Sequence, residues 1–203
     1  MDGPTTAAEQ RAWELLASRR PEVVIRSAKA TFDALSSCYT IRSFGTDLTI
    51  SQTERRIAGR IPEGSIPLDL QGDLFRLAVL WYLANAKDID PTGRLVNIQN
   101  IRGGDIFSKG SHILPLDKIA QRYENDMAGF LDRGHSLGGD VLTIADAALR
   151  LYPLPRLPVI LTLWLADDEF PARADLLLDS TGELQAPTDI IWSLVTMSVL
   201  IML

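Results

Sequence analysis

The sequence predicts a single α+β domain over residues 1–203, with a small, mainly antiparallel sheet packed against several helices. Three observations carry that expectation. Apolar residues recur at helical spacing in several stretches, a period of two appears between Cys38 and Ile50, and a run from Val159 to Leu165 that is apolar but for Thr162 is followed by a leucine-rich stretch at Ala174 to Asp179. With 203 residues, of which 46% are apolar, the chain is long enough to bury one sizeable core.

Thr6 and Glu9 stand at capping-box spacing ahead of Trp13 and Leu16, which predicts a helix within residues 1–20 that ends before Pro21. Pro21 suits the first turn of a second helix, with Val24, Ile25, Ala28 and Phe32 toward the core. Tyr39 and Ile41, then Leu48 and Ile50, alternate with polar residues on either side of Gly45, the pattern of a β-hairpin. Arg56 to Arg60 reads as a short further strand, ended by the Pro62 to Pro67 segment. Asp69 is placed to cap the longest helical pattern, which runs to about Ala86. Its stripe is Leu70, Leu74, Leu77 and Trp81, widened by Phe75, Leu80 and Leu83, as expected of a central buried helix.

Asp90 to Gly93 has turn chemistry, and Leu95 to Ile98 reads as a short strand. Asn100 to His112, rich in glycine, reads as a loop over a surface or cleft. Asp117 is expected to cap a helix carrying Ile119, Tyr123, Met127 and Phe130, which Gly134 ends. The stretch from Leu137 to Tyr152 opens with two glycines and predicts a helix from about Thr143, broken by Pro153, Pro155 and Pro158. Val159 to Leu165 is apolar enough to need cover on both faces, and Ala174 to Asp179 is its antiparallel return.

From Ile190 to Leu203 the chain carries no charge, which predicts an apolar C-terminal helix over 188–203. Fourteen helical residues rise about 21 Å, short of the roughly 30 Å needed to cross a membrane, so burial is expected and no membrane span. Left uncovered, such an end would dock a partner protein or a second copy of the chain.

The formal charge of −6 and the scattered Lys and Arg argue against nucleic acid as a partner. Cys38 is the only cysteine, so this chain alone holds no disulfide, cysteine-rich zinc site or iron-sulfur cluster. The N-terminus has no basic start followed by an apolar run, and with one cysteine a cytoplasmic setting is expected.

The order LWYLANA, RGGDIF, LGG, PRLP, Trp164, DDEFPA and LLLDSTGEL, from Pro21 to Met197, resembles the prokaryotic family labelled domain of unknown function 3786. The resemblance implies an occurrence mostly in anaerobes. It also implies, through members that look fused to an iron-sulfur module found with corrinoid proteins, a link to one-carbon chemistry. With Cys38 alone, this chain departs from those fusions.

The candidate chemistry centres on Asp167, Asp168 and Glu169, where the apolar strand emerges and Phe170 and Pro171 shape the turn. Carboxylates there either line a cleft, binding a divalent cation or shifting one another's pKa, or form a solvated hairpin tip. Gly103, Gly104 and Asp105 are a second candidate, since glycines let backbone N–H groups approach a ligand. They match no phosphate-binding fingerprint, and a turn requirement also explains them. Arg156, a lone cation in an apolar segment, should pair with Asp146 or the acidic turn, or else bind an anion. His112 and His135, with Asp168 or Glu169, are weak metal candidates because they lack helical ligand spacing. Cys38 has no basic neighbour and no serine nucleophile signature occurs. Three readings follow: a module binding a small molecule or cofactor such as a corrinoid or tetrapyrrole, with its pocket between the Gly103–Gly104 loop and the acidic turn and with Trp164 in its wall; a metal-dependent enzyme; and an interaction module or homo-oligomer joined through the C-terminal helix.

Overall fold

The computed structural model describes residues 6–59, 68–108 and 110–203. The first helices are α1 (Ala7–Ala17) and α2 (Pro21–Ala28). Thr6 caps α1, its hydroxyl accepting from the Glu9 amide at 3.2 Å. The Glu9 carboxylate turns inward, is buried, and accepts from the Trp13 indole at 3.3 Å and from Arg76 at 3.0 Å. A residue expected to serve the helix end therefore ties α1 to a neighbouring helix. Pro21 opens α2 as expected, with Val24 and Ala28 buried and Ile25 left exposed.

The expected hairpin is the centre of a four-stranded antiparallel sheet, β1 (Thr31–Asp33), β2 (Cys38–Ser43), β3 (Thr46–Ser51) and β4 (Arg56–Ala58), paired in chain order. Tyr39 pairs with Ile50 and Ile41 with Leu48, which puts all four on the buried face. Phe44 and Gly45 form the turn with φ of 45° and 75°. Two positive φ values make the primed turn whose twist matches the strands it joins. Arg60 and the Pro62 to Pro67 segment lie outside the described residues.

Helix α3 (Leu68–Asn85) is central, in contact with α1, α2 and α7 (Thr188–Leu200). Its buried face is Phe75, Ala78, Val79, Tyr82 and Leu83, extended by Leu80 and Ala84. The expected stripe is the flank: Leu74 is exposed, Leu77 and Trp81 are half-buried, and the side chains of Asp69 and Leu70 lie outside the described residues. On a helix apolar nearly all round, which stripe is buried is decided by the neighbours.

The second sheet is five-stranded and antiparallel, in the order β5-β9-β8-β7-β6. Its strands are β5 (Leu95–Asn97), β6 (Asp140–Leu142), β7 (Ala147–Leu154), β8 (Leu157–Trp164) and β9 (Arg173–Asp179). The helix expected from Thr143 is absent; a turn there joins β6 to β7. Ala147–Leu154 pairs with β8 from Ala147 opposite Leu163 to Leu154 opposite Leu157, and pairing on both flanks outweighs its alanine- and leucine-rich helical propensity. Pro153 falls in the irregular stretch between Leu151 and Leu154, where a missing N–H costs little. Leu149, Leu151, Val159, Leu161, Leu163, Leu176 and Leu178 face the main core. The alternate residues Arg150, Tyr152, Ile160, Thr162, Trp164, Arg173 and Asp175 lie on the other face.

The single helix expected after Asp117 is two, α4 (Leu116–Tyr123) and α5 (Met127–Ser136). Asp117 lies inside the first turn of α4, and Asp126 restarts the chain as α5 by accepting from the Gly129 amide at 2.8 Å. Gly134 does not end that helix. It is the point where α5 meets the sheet, since a Cβ there would come within 2.2 Å of Leu149 Cδ1. After the short α6 (Gly182–Gln185), α7 runs as expected, and its Ile190, Ile191, Leu194, Val195, Met197 and Val199 are buried by the chain itself. Arg133 donates to the Ile201 carbonyl and Tyr123 to that of Met202 at 2.6 Å. The C-terminal helix thus presents little apolar surface for a partner. Among the described residues no helix is long and apolar enough to cross a membrane.

The two sheets meet where the β2–β3 turn abuts the loop after α5. The Phe44 amide donates to the Tyr152 carbonyl at 2.8 Å, and a Cβ on Gly138 would lie 2.7 Å from the Gly45 Cα.

Candidate functional site

The turns at the two ends of β8 carry most of the charge singled out in the sequence. The β7–β8 turn is only Pro155 and Arg156, and Arg156 is buried. Its Nε donates to the Ser27 carbonyl at 2.7 Å, and its Nη2 to the Arg26 carbonyl at 3.0 Å and to Asp88 at 2.5 Å. Its Nη1 donates to Asp90 at 2.9 Å. Its amide donates to the Tyr82 hydroxyl, which in turn donates to the Ala28 carbonyl, and burial pushes the Tyr82 pKa far up. Arg26 and Lys29 complete the set by pairing with Asp88 at 3.2 Å and Asp90 at 2.5 Å. The hydrogen bond from Lys29 is the main cause holding Asp90 below the usual aspartate range. The partners expected for Arg156, Asp146 and the acidic turn, are at the opposite end of the strands. Arg156 is a structural clamp joining α2, the loop after α3 and the β7–β8 turn, and its guanidinium is committed to protein acceptors.

At the other end the chain leaves β8 into the acidic turn. The Leu165 amide donates to Asp146 at 2.9 Å, which joins this turn to the start of β7. Asp167 accepts from the Glu169 amide at 2.8 Å and the Phe170 amide at 2.7 Å, while its own amide donates to the Phe170 carbonyl at 3.0 Å. These amide bonds, Glu169 first, hold the Asp167 carboxyl below its ordinary pKa. The turn is therefore ordered by its first acid, and Phe170 projects from it 66% exposed.

Beside this turn lies a groove of about 660 Å³ walled by Asp146, Trp164, Leu165, Asp167, Phe170 and Pro171, with Ala172 and Arg173 opposite. Trp164 is 38% exposed, and the Arg173 guanidinium, paired across the strands, lies 5.6 Å from its ring centre. Arg173 Nε also pairs with Asp175 at 3.1 Å. A second groove of about 330 Å³ lies at the other end of the sheet, between Pro91–Gly93 and Arg150, Tyr152 and Ile160.

Of the residues singled out in the sequence, Trp164, Asp167 and Phe170 share the larger groove. Asp168 and Glu169 are exposed on the same turn and are not among its walls. The Gly103–Gly104 loop is elsewhere: Gly103 packs against Thr188, whose hydroxyl donates to the Arg102 carbonyl at 2.8 Å, and the Arg102 amide donates to Glu183. Gly104 is there because a Cβ would lie 2.2 Å from the Ile98 carbonyl oxygen. Gly103 has φ of 75°, so turn and packing requirements account for both glycines. Asp105 follows in the same short 3₁₀ segment, Gly104–Ser108. The His112 ring packs edge-on against Trp192 at 5.0 Å, and His135 is exposed on α5. Among the described residues, no group of three His, Cys, Asp or Glu side chains comes together as a metal site would require. Cys38 is half-buried in β2, its thiol directed to the Ser36 carbonyl.

Asp146 and Arg173 are the charged groove residues that the sequence did not mark as part of a site. Arg173 was within reach of it, because folding the two apolar runs into a hairpin pairs Trp164 with Arg173.

No curated protein and no solved structure matches this chain. The model of one family does, over residues 20–200, a span that takes in every element from α2 to α7. By that match the chain belongs to the family described as "Domain of unknown function (DUF3786)".

Proposed function

We propose that this domain is a binding module for a small molecule or cofactor, and that its site is the groove beside the β8–β9 turn. The observation that supports this reading most is the pair of exposed aromatics, Trp164 and Phe170, in one groove of about 660 Å³ with charged groups at hand. Small-molecule sites occupy roughly 300–1,000 Å³, with apolar walls and a few oriented polar groups. The turn geometry set by Asp167 keeps the wall in place without a ligand, which lowers the ordering cost of binding. The finer assignment, a role beside corrinoid or one-carbon chemistry, rests on the family resemblance and places corrinoids and tetrapyrroles among the ligands to try first.

The test is a thermal-shift and tryptophan-fluorescence screen of the native protein against corrinoids, tetrapyrroles, nucleotides and simple aromatic compounds, with Trp164→Phe alongside. A ligand at 100 times its Kd adds about 2.7 kcal/mol to stability. The expected result is a raised midpoint with quenching that Trp164→Phe removes. A flat response across the screen, with nothing carried through purification, overturns the proposal.

A further inference from the structure

Building on that reading of the groove, we infer that its occupant is a small organic cation, an amine or ammonium group held against Trp164 and Phe170. The first observation is that the site already carries a cation on an aromatic face. Arg173 lies 5.6 Å from the Trp164 ring centre and is held there by Asp175. An aromatic ring attracts a cation through its negative face, and cages built on this attraction recognise ammonium ligands.

The second observation is that the charge around the groove favours a cation. Asp146 and Asp167 are in its walls and Asp168 and Glu169 follow on the same turn. Among the described residues Arg173 is the only basic one in the walls, and Asp175 offsets it. Asp146 uses one oxygen for the Leu165 amide, and Asp167 uses one for two amides. Each has its second oxygen without a partner among the described residues. Phe170 supplies an exposed ring that no cation among the described residues covers. An anion would meet this set with one arginine in its favour and several carboxylates against it. A cation would meet two rings and two open carboxylate oxygens.

Three ligands sharing one ring, benzylamine, benzyl alcohol and benzoate, separate this inference from the reading beneath it. The readout is the Trp164 indole N–H in a two-dimensional NMR titration, assigned by its loss in Trp164→Phe. Benzylamine is expected to bind on the order of tenfold more tightly than benzoate. Arg173→Gln, which removes the competing guanidinium, is expected to strengthen benzylamine binding further. Preference for benzoate, or weaker benzylamine binding in Arg173→Gln, overturns the inference. Equal binding of all three overturns it too, while leaving the aromatic groove standing as a small-molecule site. No response to any of them overturns the inference, and the wider ligand screen then decides separately whether the groove is a small-molecule site.

Discussion

At one end of β8, Arg156 is 3% exposed and gives its guanidinium hydrogens to two carbonyls and two carboxylates; at the other, Asp167 is exposed and uses one oxygen to order its own turn. The two ends also differ around those residues. Beside Arg156, the buried Gln185 bonds the Lys87 amide and the Lys87 and Ile89 carbonyls. Asp179 accepts from Gly93 at 2.6 Å and from the amide and hydroxyl of Thr181. Beside Asp167 stand exposed rings and unfilled carboxylate oxygens. A polar group that is buried and bonded at nearly all its positions has little capacity left for a ligand, whereas one at an exposed, ordered turn has. That separates a structural arginine from a candidate site, although the sequence presents both as charge beside an apolar strand.

The contrast breaks most visibly at Arg156. Arg156→Met removes the cation that three segments share and leaves buried carbonyls unbonded, so unfolding in urea should show a loss of about 3 kcal/mol. A loss under about 1 kcal/mol would mean that this end is no tighter than the other. Asp179→Asn should cost about 2 kcal/mol at neutral pH, because the amide keeps the shape but turns donors toward donors. Desolvation alone would raise the Asp179 pKa, and the bonds from Thr181, Thr92 and Gly93 outweigh it and leave it below 3.8. Its contribution is therefore full above about pH 4 and fades as the pH falls through the lowered value. The gap between wild type and Asp179→Asn should close over that acid range; a constant gap would show that the bonds do not depend on its charge. The smallest effect is expected at Asp167. Asp167→Ala should leave the thermal midpoint nearly unchanged while hydrogen exchange at the Glu169 and Phe170 amides speeds up. Unchanged exchange at both amides would show that the turn is ordered by something else.

The parts of the fold legible in the sequence were those where local pattern and tertiary environment agree. Alternation at Tyr39, Ile41, Leu48 and Ile50 marked the first hairpin, and a run apolar enough to need cover on both faces marked β8. The charge-free C-terminal stretch similarly became a buried helix. Ala147–Leu154 was not legible, because its residues favour a helix and only the strands on either side make it a strand. Nor was the break at Asp126, because a cap within a continuing apolar pattern looks like one more polar residue. For the candidate site, the acidic turn and its aromatics could be read as a cluster because they are close in sequence. The place of Asp146 could not, since it depends on the register of β7, and the same register puts it eight residues of strand away from the Arg156 turn. The Gly103–Gly104 loop suggested a ligand because a glycine needed for close packing and one needed for binding are written alike.

The seam between the two sheets bears on how the molecule comes apart. Gly45 and Gly138 meet backbone to backbone, and the Phe44 amide is bonded across the seam to Tyr152. Contact this close leaves no side chain to act as a cushion, so one sheet cannot shift against the other by small steps. Opening it breaks the Tyr152 bond and lets water reach both turns at once. Slow-exchanging amides in β2, β3, β7 and β8 should therefore open together as one cooperative unit, with the weakly tethered β4 edge and the β8–β9 tip exchanging independently of it.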